Sequence, residues 1–412
     1  MRRRRNAAVA AFLVLLVLLP AACKADDEPS EGGATGNGDT TGVTATEIKF
    51  GTHLPLSQSP AAAYGPIADG MRAYFDYVNE TEGGVYGRKL SLIVGDDHYT
   101  PSDTVEVTRR LVEQDKVFAI IAGLGEETHE AVWKYLEERG VPDLFISSGL
   151  ARWSDPVVKT RFGGNPVYLQ EGQMLGRYVV EHYTGKKLGL LLQNNEFGQD
   201  GEKGVRKGIE GSDVQIAAIE TYESVQWDVT AQTQRLKNAG VDVVLTYAIP
   251  PPAASLVKTA REVLNWDVPI IVTGVDATEL FLDLAGAQNA EGVVSVVFGH
   301  QAHETDHPGV KAYLAAMEKY APGIEISNIT LYGFAMGELA VEGLKRAGQD
   351  LTRESFVTAL EGIRKFQCSV CLTPISFSEQ DHRPFEIEVY IKVVNGRWET
   401  FGEPVDFETT KE

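Results

Sequence analysis

The 412-residue sequence has only three cysteines, few basic residues and, after residue 22, no long uninterrupted apolar run. It contains 38 lysines and arginines against 58 aspartates and glutamates, a formal net charge of −20 at pH 7. So acidic a surface repels phosphate backbones, which argues against nucleic acid as a partner. The lack of a later apolar run leaves no segment of transmembrane length beyond the N-terminus.

The N-terminus has the pattern of an export signal. Arg2 to Arg5 form a basic patch, and residues 7–22 form an apolar run that is short for a membrane span and typical of a signal-peptide core. The run ends at Cys23 in LLPAAC, which resembles a lipobox, although Pro20 stands where an aliphatic residue is usual. We therefore expect residues 1–22 to be a lipoprotein signal peptide and Cys23 to be acylated. The alternative is a plain secretory peptide.

Residues 23–46 are rich in glycine, threonine and acidic residues and almost free of large apolar ones, so we expect a disordered tether. Removal of the signal peptide takes away four arginines, which leaves 34 basic against 58 acidic residues and a net charge of −24. The remaining body of about 365 residues is long enough for two lobes.

Cys368 and Cys371 stand in the tetrapeptide CSVC. Outside the cytosol a disulfide between them is the favoured interpretation. A redox or metal role stays open as the alternative, but a thioredoxin-like site needs CxxC at a helix start after a strand. Here the motif follows a predicted helix, RESFVTALEGI.

From residue 47 onwards, segments typical of strands alternate with segments typical of helices. The strand segments are short continuous apolar runs, as in parallel sheets covered on both faces, and the helical connections indicate right-handed βαβ crossovers. The predicted strands form two series: IKFGTHL, KLSLIVGDD, VFAIIAG and DLFISS, then LGLLLQN, VQIAAIETY, VDVVLTYA, PIIVTG and GVVSVVF. The pattern therefore predicts an α/β fold with two doubly wound, Rossmann-like lobes.

Helices are predicted in both series and after them. A C-terminal hairpin is predicted to turn at Asn395-Gly396, a dipeptide that favours tight hairpin turns. The predicted helices include 127–139, 198–210, 229–239, 252–264, 277–285, 308–320, 328–347 and 352–362.

The order and spacing of several motifs resemble the leucine/isoleucine/valine-binding family of type I periplasmic-binding proteins, the receptors of ABC importers. These motifs include HLPLSQSPAAAYG, GGVYGRKLSLIVGDD, AIIAGLGEETHEAV, GVPDLFISSG, LLLQNNEFGQDGEKGVRKGI and LKNAGVDVVLTY. The resemblance implies a three-strand hinge with crossovers near 164–167, 298–301 and 372–375. It implies an N-terminal lobe of residues 47–165 plus 300–372 and a C-terminal lobe of residues 166–299 plus 373–412.

The resemblance also implies a function. We expect an exported protein that captures a small ligand between its lobes and delivers it to ABC-importer permease subunits. The ligand classes left open are a branched-chain amino acid or similar compound, an amide or amine, and an aromatic acid. We expect no cofactor, and a location on the outer face of the cytoplasmic membrane or in the periplasm. The alternative is a ligand-sensing surface receptor of the same fold.

The segment HETDH, residues 303–307, has the spelling of a zinc metalloprotease motif. That chemistry needs both histidines inside one helix, so that they hold zinc on one face. Gly299 precedes the segment and Pro308 follows it, which predicts a loop before a new helix. We therefore expect neither a peptidase nor a metal site.

The binding site is expected at the carboxyl ends of the strands, where open α/β sheets bind ligands. Aromatic residues in three of these loops stand where family members pack rings on the ligand: Tyr64, Phe197 and Tyr247. Tyr168, just past the first crossover, is a further candidate. The remaining strand-end candidates are Gly125, Glu126, Ser148, Leu150 and Asp276.

Asp276 matches the acidic position that receives the ligand ammonium in amino-acid-binding relatives, with a helix N-cap as its alternative role. The family's carboxylate site is changed here. Glu126 replaces a serine, and Leu150 replaces a threonine. Glu126 either stabilises the helix dipole or faces the ligand. If it faces the ligand, the natural ligand carries a positive or polar neutral group at that end, and no free carboxylate.

Replacement of Cys23 tests the lipid anchor. Cys23→Ala removes the acylated thiol, so the protein should appear in the released fraction or remain unprocessed. Cell fractionation with an N-terminal mass measurement checks this. Normal cleavage together with membrane association of the variant would contradict the anchor.

Overall fold

The computed structural model describes residues 38–406. The predicted signal peptide, Cys23 and the first part of the predicted tether lie outside the described residues. Within the described part of the chain, every helix is too short or too polar to cross a membrane.

The described residues form two sheets. The first contains strands β1 to β5, and the second contains strands β6 to β12. In chain order the strands are Glu47–Leu54, Lys89–Asp96, Ala119–Ile121, Asp143–Ile146, Arg161–Gly163, Lys187–Gln193, Gln215–Tyr222, Val243–Tyr247, Ile270–Val272, Val294–Val297, Ile387–Val394 and Arg397–Asp406.

Helices connect the strands and cover the sheets. In chain order, α1 to α13 are Ile67–Thr81, Pro101–Arg109, Glu127–Glu130, Trp133–Glu138, Tyr168–His182, Glu196–Gly208, Thr230–Asn238, Pro250–Lys258, Glu279–Ala285, Ala287–Ala290, Pro308–Tyr320, Asn328–Ala347 and Arg353–Glu361. Short 3₁₀ turns lie at Pro60–Tyr64, Ala151–Trp153 and Gly274–Asp276.

The strand orders explain the alternating sequence pattern. The first sheet has the order β2-β1-β3-β4-β5 and the second β12-β11-β10-β9-β8-β6-β7. Neighbours are parallel except at β10-β11 and β11-β12, where pairing is antiparallel. Asn395 and Gly396, with φ of 53° and 75°, turn the last hairpin as predicted. The predicted α/β fold class with two doubly wound lobes is confirmed.

The chain passes three times between the sheets. It leaves β5 for α5 through residues 164–167, and it returns before α11 through the segment around Gly299, which pairs with Cys371. A disulfide joins Cys368 to Cys371 beside this second crossing.

The third crossing lies later than the resemblance implied. Ile375 still pairs with Phe366, and the Gly163 amide in the first sheet donates to the His382 carbonyl at 3.1 Å. The His382 ring stacks on Phe162, with ring centroids 3.9 Å apart. Residues 375–382 therefore pack against the first sheet, and the crossing falls between His382 and β11. The other lobe boundaries remain predictions.

The segment HETDH forms a loop, as predicted. The helix α11 begins at Pro308, and His307 occupies its N-cap position. In the loop, His300 Nδ1 lies 2.6 Å from Glu304 Oε2, and the His300 and His307 rings stack with centroids 3.7 Å apart. Among residues 38–406, no group of three or more histidine, cysteine or acidic side chains could hold a metal ion.

The predicted tether extends too far toward the C-terminus, because residues 39–43 pack on the first lobe. The Arg353 guanidinium contacts Asp39 Oδ2 at 2.7 Å and donates to the carbonyls of Val117 and Phe118, each at 2.8 Å. The Val43 segment adds a bridge to Ile48. The charged guanidinium, 6% exposed, is thus satisfied by one carboxylate and two buried carbonyls, and it holds this segment in place.

Substitution of Arg353 tests this attachment. Arg353→Met leaves two buried carbonyls without their donor, so the free energy of unfolding should fall by about 2–4 kcal/mol. Asp39→Asn, at a half-exposed partner, should cost less than about 1 kcal/mol. Urea unfolding of both variants measures the difference. Equal, small effects would show that the guanidinium does not hold the segment.

Candidate functional site

Loops at the carboxyl ends of the strands enclose a cavity between the two sheets. About 160 Å³ of it is open to the centres of water-sized molecules. A single water needs roughly 10–15 Å³ of such space, so the cavity admits a molecule much larger than one water. The aromatic residues that line it are Tyr64, Tyr99, Tyr168, Phe197, Phe298, Tyr332 and Phe385.

Five of the nine predicted ligand-binding residues line this cavity: Tyr64, Gly125, Glu126, Tyr168 and Phe197. Gly125 has φ of 105°, and a Cβ there would lie 2.4 Å from Thr128 Oγ1 and 2.7 Å from the Tyr99 ring. Only glycine fits this turn without strain.

The other four predicted residues do not line the cavity. Leu150, 2% exposed, packs in the core. Tyr247 lies behind the cavity wall, because its hydroxyl donates to the Tyr168 carbonyl at 3.1 Å and its ring packs edge-on against Phe197. Ser148 contacts a lining residue from outside the cavity. Asp276 lies directly behind the wall, between two residues of the chain that line it.

The Glu126 carboxylate is held by three hydroxyl groups. Ser148 Oγ donates to its Oε1 at 3.0 Å, Tyr168 Oη to Oε1 at 3.3 Å and Tyr99 Oη to Oε2 at 3.1 Å. Burial raises the pKa of the Glu126 carboxyl, and these hydrogen bonds offset part of the rise. Glu126 therefore presents a fixed carboxyl group to the cavity. Its side chain does not lie in solvent, where it would stabilise the helix dipole.

Tyr99 was missed by the sequence analysis, and its position depends on unusual backbone geometry. His98 and Tyr99 have φ of 50° and 57°, and the Tyr99 amide donates to Asp97 Oδ1 at 3.0 Å. Two successive left-handed residues turn the chain so that the tyrosine hydroxyl reaches Glu126. Such strain is concentrated at functional sites, but no feature of the sequence indicated it.

Contacts across the cavity hold the two lobes together. Tyr64 Oη donates to the Val275 carbonyl at 3.2 Å, and the backbone N–H of Asn328 donates to Glu279 Oε2 at 2.8 Å. At the rim, the Arg152 guanidinium bonds Glu130 at 2.7 Å in its own lobe and Glu196 at 2.5 Å in the other. The structure is therefore a closed form, with the cavity between the lobes.

The family model described as periplasmic binding protein matches residues 47–396. The chain belongs to that family. The predicted membership of the type I, leucine/isoleucine/valine-binding group is confirmed, and the family is one of extracytoplasmic solute-binding proteins.

Relatives and solved structures resemble this periplasmic binding protein over most of its length. An amino acid binding protein of Pseudomonas aeruginosa is 25% identical over 65% of this chain and 70% of its own. A Leu/Ile/Val-binding protein homolog of Brucella abortus is 23% identical over 76% and 82%. A branched-chain amino acid ABC transporter protein from Thermus thermophilus, solved with bound valine, has a TM-score of 0.80 at 21% identity over 89% and 99%.

Two further cavity-lining carboxyl groups, Glu171 and Glu388, were also missed. Glu171 comes from the first turn of α5 and is 3% exposed, with Oε1 accepting from Thr273 Oγ1 at 2.5 Å. Glu388, in β11, is fully buried, and neither of its carboxyl oxygens has a hydrogen-bond partner. The segments around them, VYLQEGQML and FEIEVYI, mix polar and apolar residues and give no local signal for either glutamate.

Asp276 is a third buried carboxyl group of the same lobe. Both of its oxygens lack hydrogen-bond partners, and the side chain is fully buried. Burial, followed by the charge of Glu171, raises its pKa well above the ordinary value. The alternative role as a helix N-cap is wrong, because α9 begins at Glu279 and Thr278 accepts from the Phe281 amide at 3.2 Å.

In the described part of the chain, the acidic side chains that line the cavity are not balanced by lysine or arginine. Among the described residues that line it, none is lysine or arginine, and the one imidazole, His300, is already bonded to Glu304. Burial and the neighbouring Glu171 raise the pKa of Glu388 well above its ordinary value. The carboxyl groups without a partner therefore cost free energy in the unliganded protein.

Removal of the Asp276 carboxyl should stabilise the unliganded protein in a pH-dependent way. A raised folded-state pKa gives stability that is present below the unfolded value and is lost as pH rises through the folded value. Asp276→Asn should therefore raise the free energy of unfolding by about 1–3 kcal/mol at pH 8, and the gain should vanish near pH 4.

Thermal and urea unfolding between pH 4 and 8 measure this gain. The control is Asp228→Asn, because hydrogen bonds from Thr230 lower the pKa of Asp228 and its loss should bring no gain. Destabilisation by Asp276→Asn at pH 8 would mean that the carboxylate has a stabilising partner.

Proposed function

We propose that this periplasmic binding protein captures a small solute in the cavity between its lobes and delivers it to the permease subunits of an ABC importer. The observation that carries the proposal is an aromatic-lined cavity between the two lobes, with walls that come from both of them. A sensor of the same fold would use the same clamp, so the cavity alone does not separate the two functions.

The relatives support the class of ligand only coarsely. One is named for amino acids, another for leucine, isoleucine and valine, and the Thermus thermophilus structure holds valine. The ring faces of Tyr64, Tyr168 and Phe197 would pack on the apolar part of such a solute. Tyr168 and Phe197 are well placed for this, because their rings already pack together with centroids 4.7 Å apart.

The polar part of the solute would meet carboxyl groups in both lobes. We propose Glu126 as the contact in the first lobe, presented by Ser148, and Asp276 as a charge behind the wall of the second. Leu150 and Tyr247 would support the wall without touching the solute.

We also propose that the protein is held at the outer face of the membrane by a lipid on Cys23. The lipobox-like LLPAAC after an apolar, arginine-preceded segment supports this proposal. Such an anchor would keep the binding protein close to its permease, which raises the effective concentration of the binding protein at the permease.

The Arg152 bridge provides a test of capture by lobe closure. A ligand that binds between the lobes favours the closed form, so it should reduce the radius of gyration in solution scattering. Arg152→Ala removes an exposed ion pair across the rim, so the affinity for that ligand should fall by about 2–5-fold, since such pairs contribute up to about 1 kcal/mol.

The control is Lys203→Ala, whose ion pair with Asp200 lies within α6 and does not cross the cleft. Its affinity and its closure should match those of the unmodified protein. An unchanged scattering profile with every bound ligand would contradict capture by closure, and equal effects of the two variants would exclude Arg152 from it.

A further inference from the structure

The following inference rests on the proposed role in solute capture and specifies the solute. We propose that the solute is an organic cation without a carboxylate group, and that Glu171 and Glu388 receive its charged nitrogen. Nothing in the family resemblance assigned a role to either glutamate.

Glu388 is the observation that points to a ligand. It is fully buried, it lines the cavity, and neither carboxyl oxygen has a hydrogen-bond partner. Glu388 lies in β11 next to Val389, which pairs with Val297 of β10, and the pairing of β11 with β12 is irregular between Glu388 and Tyr390. A buried carboxyl group without a partner is rare in folded proteins, because its loss of hydration is not repaid.

Glu171 adds a second carboxyl group to the same part of the wall. Its Oε1 accepts from Thr273, and its Oε2 lies beside Gly274, where a Cβ would approach to 3.1 Å. Glu171 and Glu388 both line the cavity, and burial followed by the charge of Glu171 raises the pKa of Glu388 and that of Asp276. A cation beside Glu171 and Glu388 would relieve the repulsion between these two carboxyl groups.

The described walls of the cavity supply no such cation. Among the described residues that line the cavity, none is lysine or arginine. The aromatic lining is suited to an organic cation, because ring faces attract ammonium groups that have lost water. Phe298, Phe385 and Tyr64 provide such rings in the same cavity, with Phe298 and Phe385 packed at a centroid distance of 4.4 Å.

The opposite end of the cavity disfavours a carboxylate. Glu126 presents a buried carboxyl group where amino-acid-binding relatives, by resemblance, have a serine-bearing loop for the ligand carboxylate. The Tyr99, Tyr168 and Ser148 hydroxyls, which could otherwise donate to a ligand anion, already donate to Glu126. A ligand carboxylate would meet like charge at both ends, whereas an amine would meet opposite charge at both ends.

The test uses probes that share a carbon skeleton and differ in charge. Isothermal titration of the purified protein compares 3-methylbutylamine with 3-methylbutanoate and leucine, and a series of primary amines and diamines with three to eight carbons covers the length of the cavity. We expect at least one amine to bind ten-fold or more tightly than 3-methylbutanoate and leucine.

Variants locate the nitrogen. Glu388→Gln and Glu171→Gln should each weaken the best amine by ten-fold or more and leave 3-methylbutanoate unimproved or improved. The matched control is Glu338→Gln, a largely buried glutamate that bonds Ser369 outside the cavity and should leave amine affinity unchanged. Thermal unfolding confirms that each variant is folded, and Asp276→Asn provides a further variant if one glutamine substitution fails to fold.

The outcomes separate this proposal from the proposed function. Tighter binding of leucine or 3-methylbutanoate, with lobe closure in solution scattering, would overturn the organic cation and leave solute capture standing. Failure of the whole amine series, or preferential binding of Ca²⁺ or Mg²⁺, would also overturn it. Amine binding that is indifferent to Glu171→Gln and Glu388→Gln would overturn the assignment of these two residues.

Discussion

The arrangement of the cavity depends on three carboxyl groups that are buried without a counter-charge. Glu171 lies in α5, Asp276 lies in the turn after β9, and Glu388 lies in β11. Each is at most 3% exposed. Isolated carboxylates lose several kcal/mol of hydration on burial, so their retention makes the unliganded cavity unfavourable. A helix, a 3₁₀ turn and a strand carry these three residues. A solute of opposite charge would convert this cost into binding free energy.

The two lobes contribute different chemistry to the same cavity. The second lobe supplies the three carboxyl groups, and the first supplies Glu126, whose charge is held by hydroxyl groups. Closure brings the two halves together, and Tyr64 reaches the Val275 carbonyl beside Asp276. Neither lobe encloses a solute by itself. In the proposed capture mechanism, binding and closure would be one event, as in hinge closure around a ligand.

Much of the fold was readable from the sequence because most elements carried a local signal. Continuous apolar runs marked the parallel strands, and Asn395-Gly396 marked the final hairpin. The helix α5, Tyr168–His182, was not predicted, and the predicted tether extended past residue 38. The polar composition of the tether suggested disorder. A single buried arginine, Arg353, orders its last part through contacts that are distant in sequence.

The residues of the cavity could be predicted only in part, because local signals do not show how the two lobes pack. Strand ends together with the family resemblance found Tyr64, Glu126 and Phe197, because the carboxyl edge of a parallel sheet is fixed by topology. Tyr168 was found from its position just past the first crossover. These signals could not decide how deep each side chain lies, so Tyr247 was predicted to contact the ligand, whereas it supports the cavity wall from behind. Glu171 and Glu388 lie inside a helix and a strand, where an acidic residue has no local signature. Only the packing of the two lobes shows that they share a cavity.

The central claim is that the buried carboxyl groups select a cationic solute, and the most direct measurement is the identity of the molecule that the protein carries. The protein would be purified without denaturation from cells that produce it, and the molecule released on unfolding would be identified by mass spectrometry. The account predicts a small amine or quaternary ammonium compound, without a carboxyl group, in one-to-one ratio with the protein. A stoichiometric amino acid or carboxylic acid would contradict it.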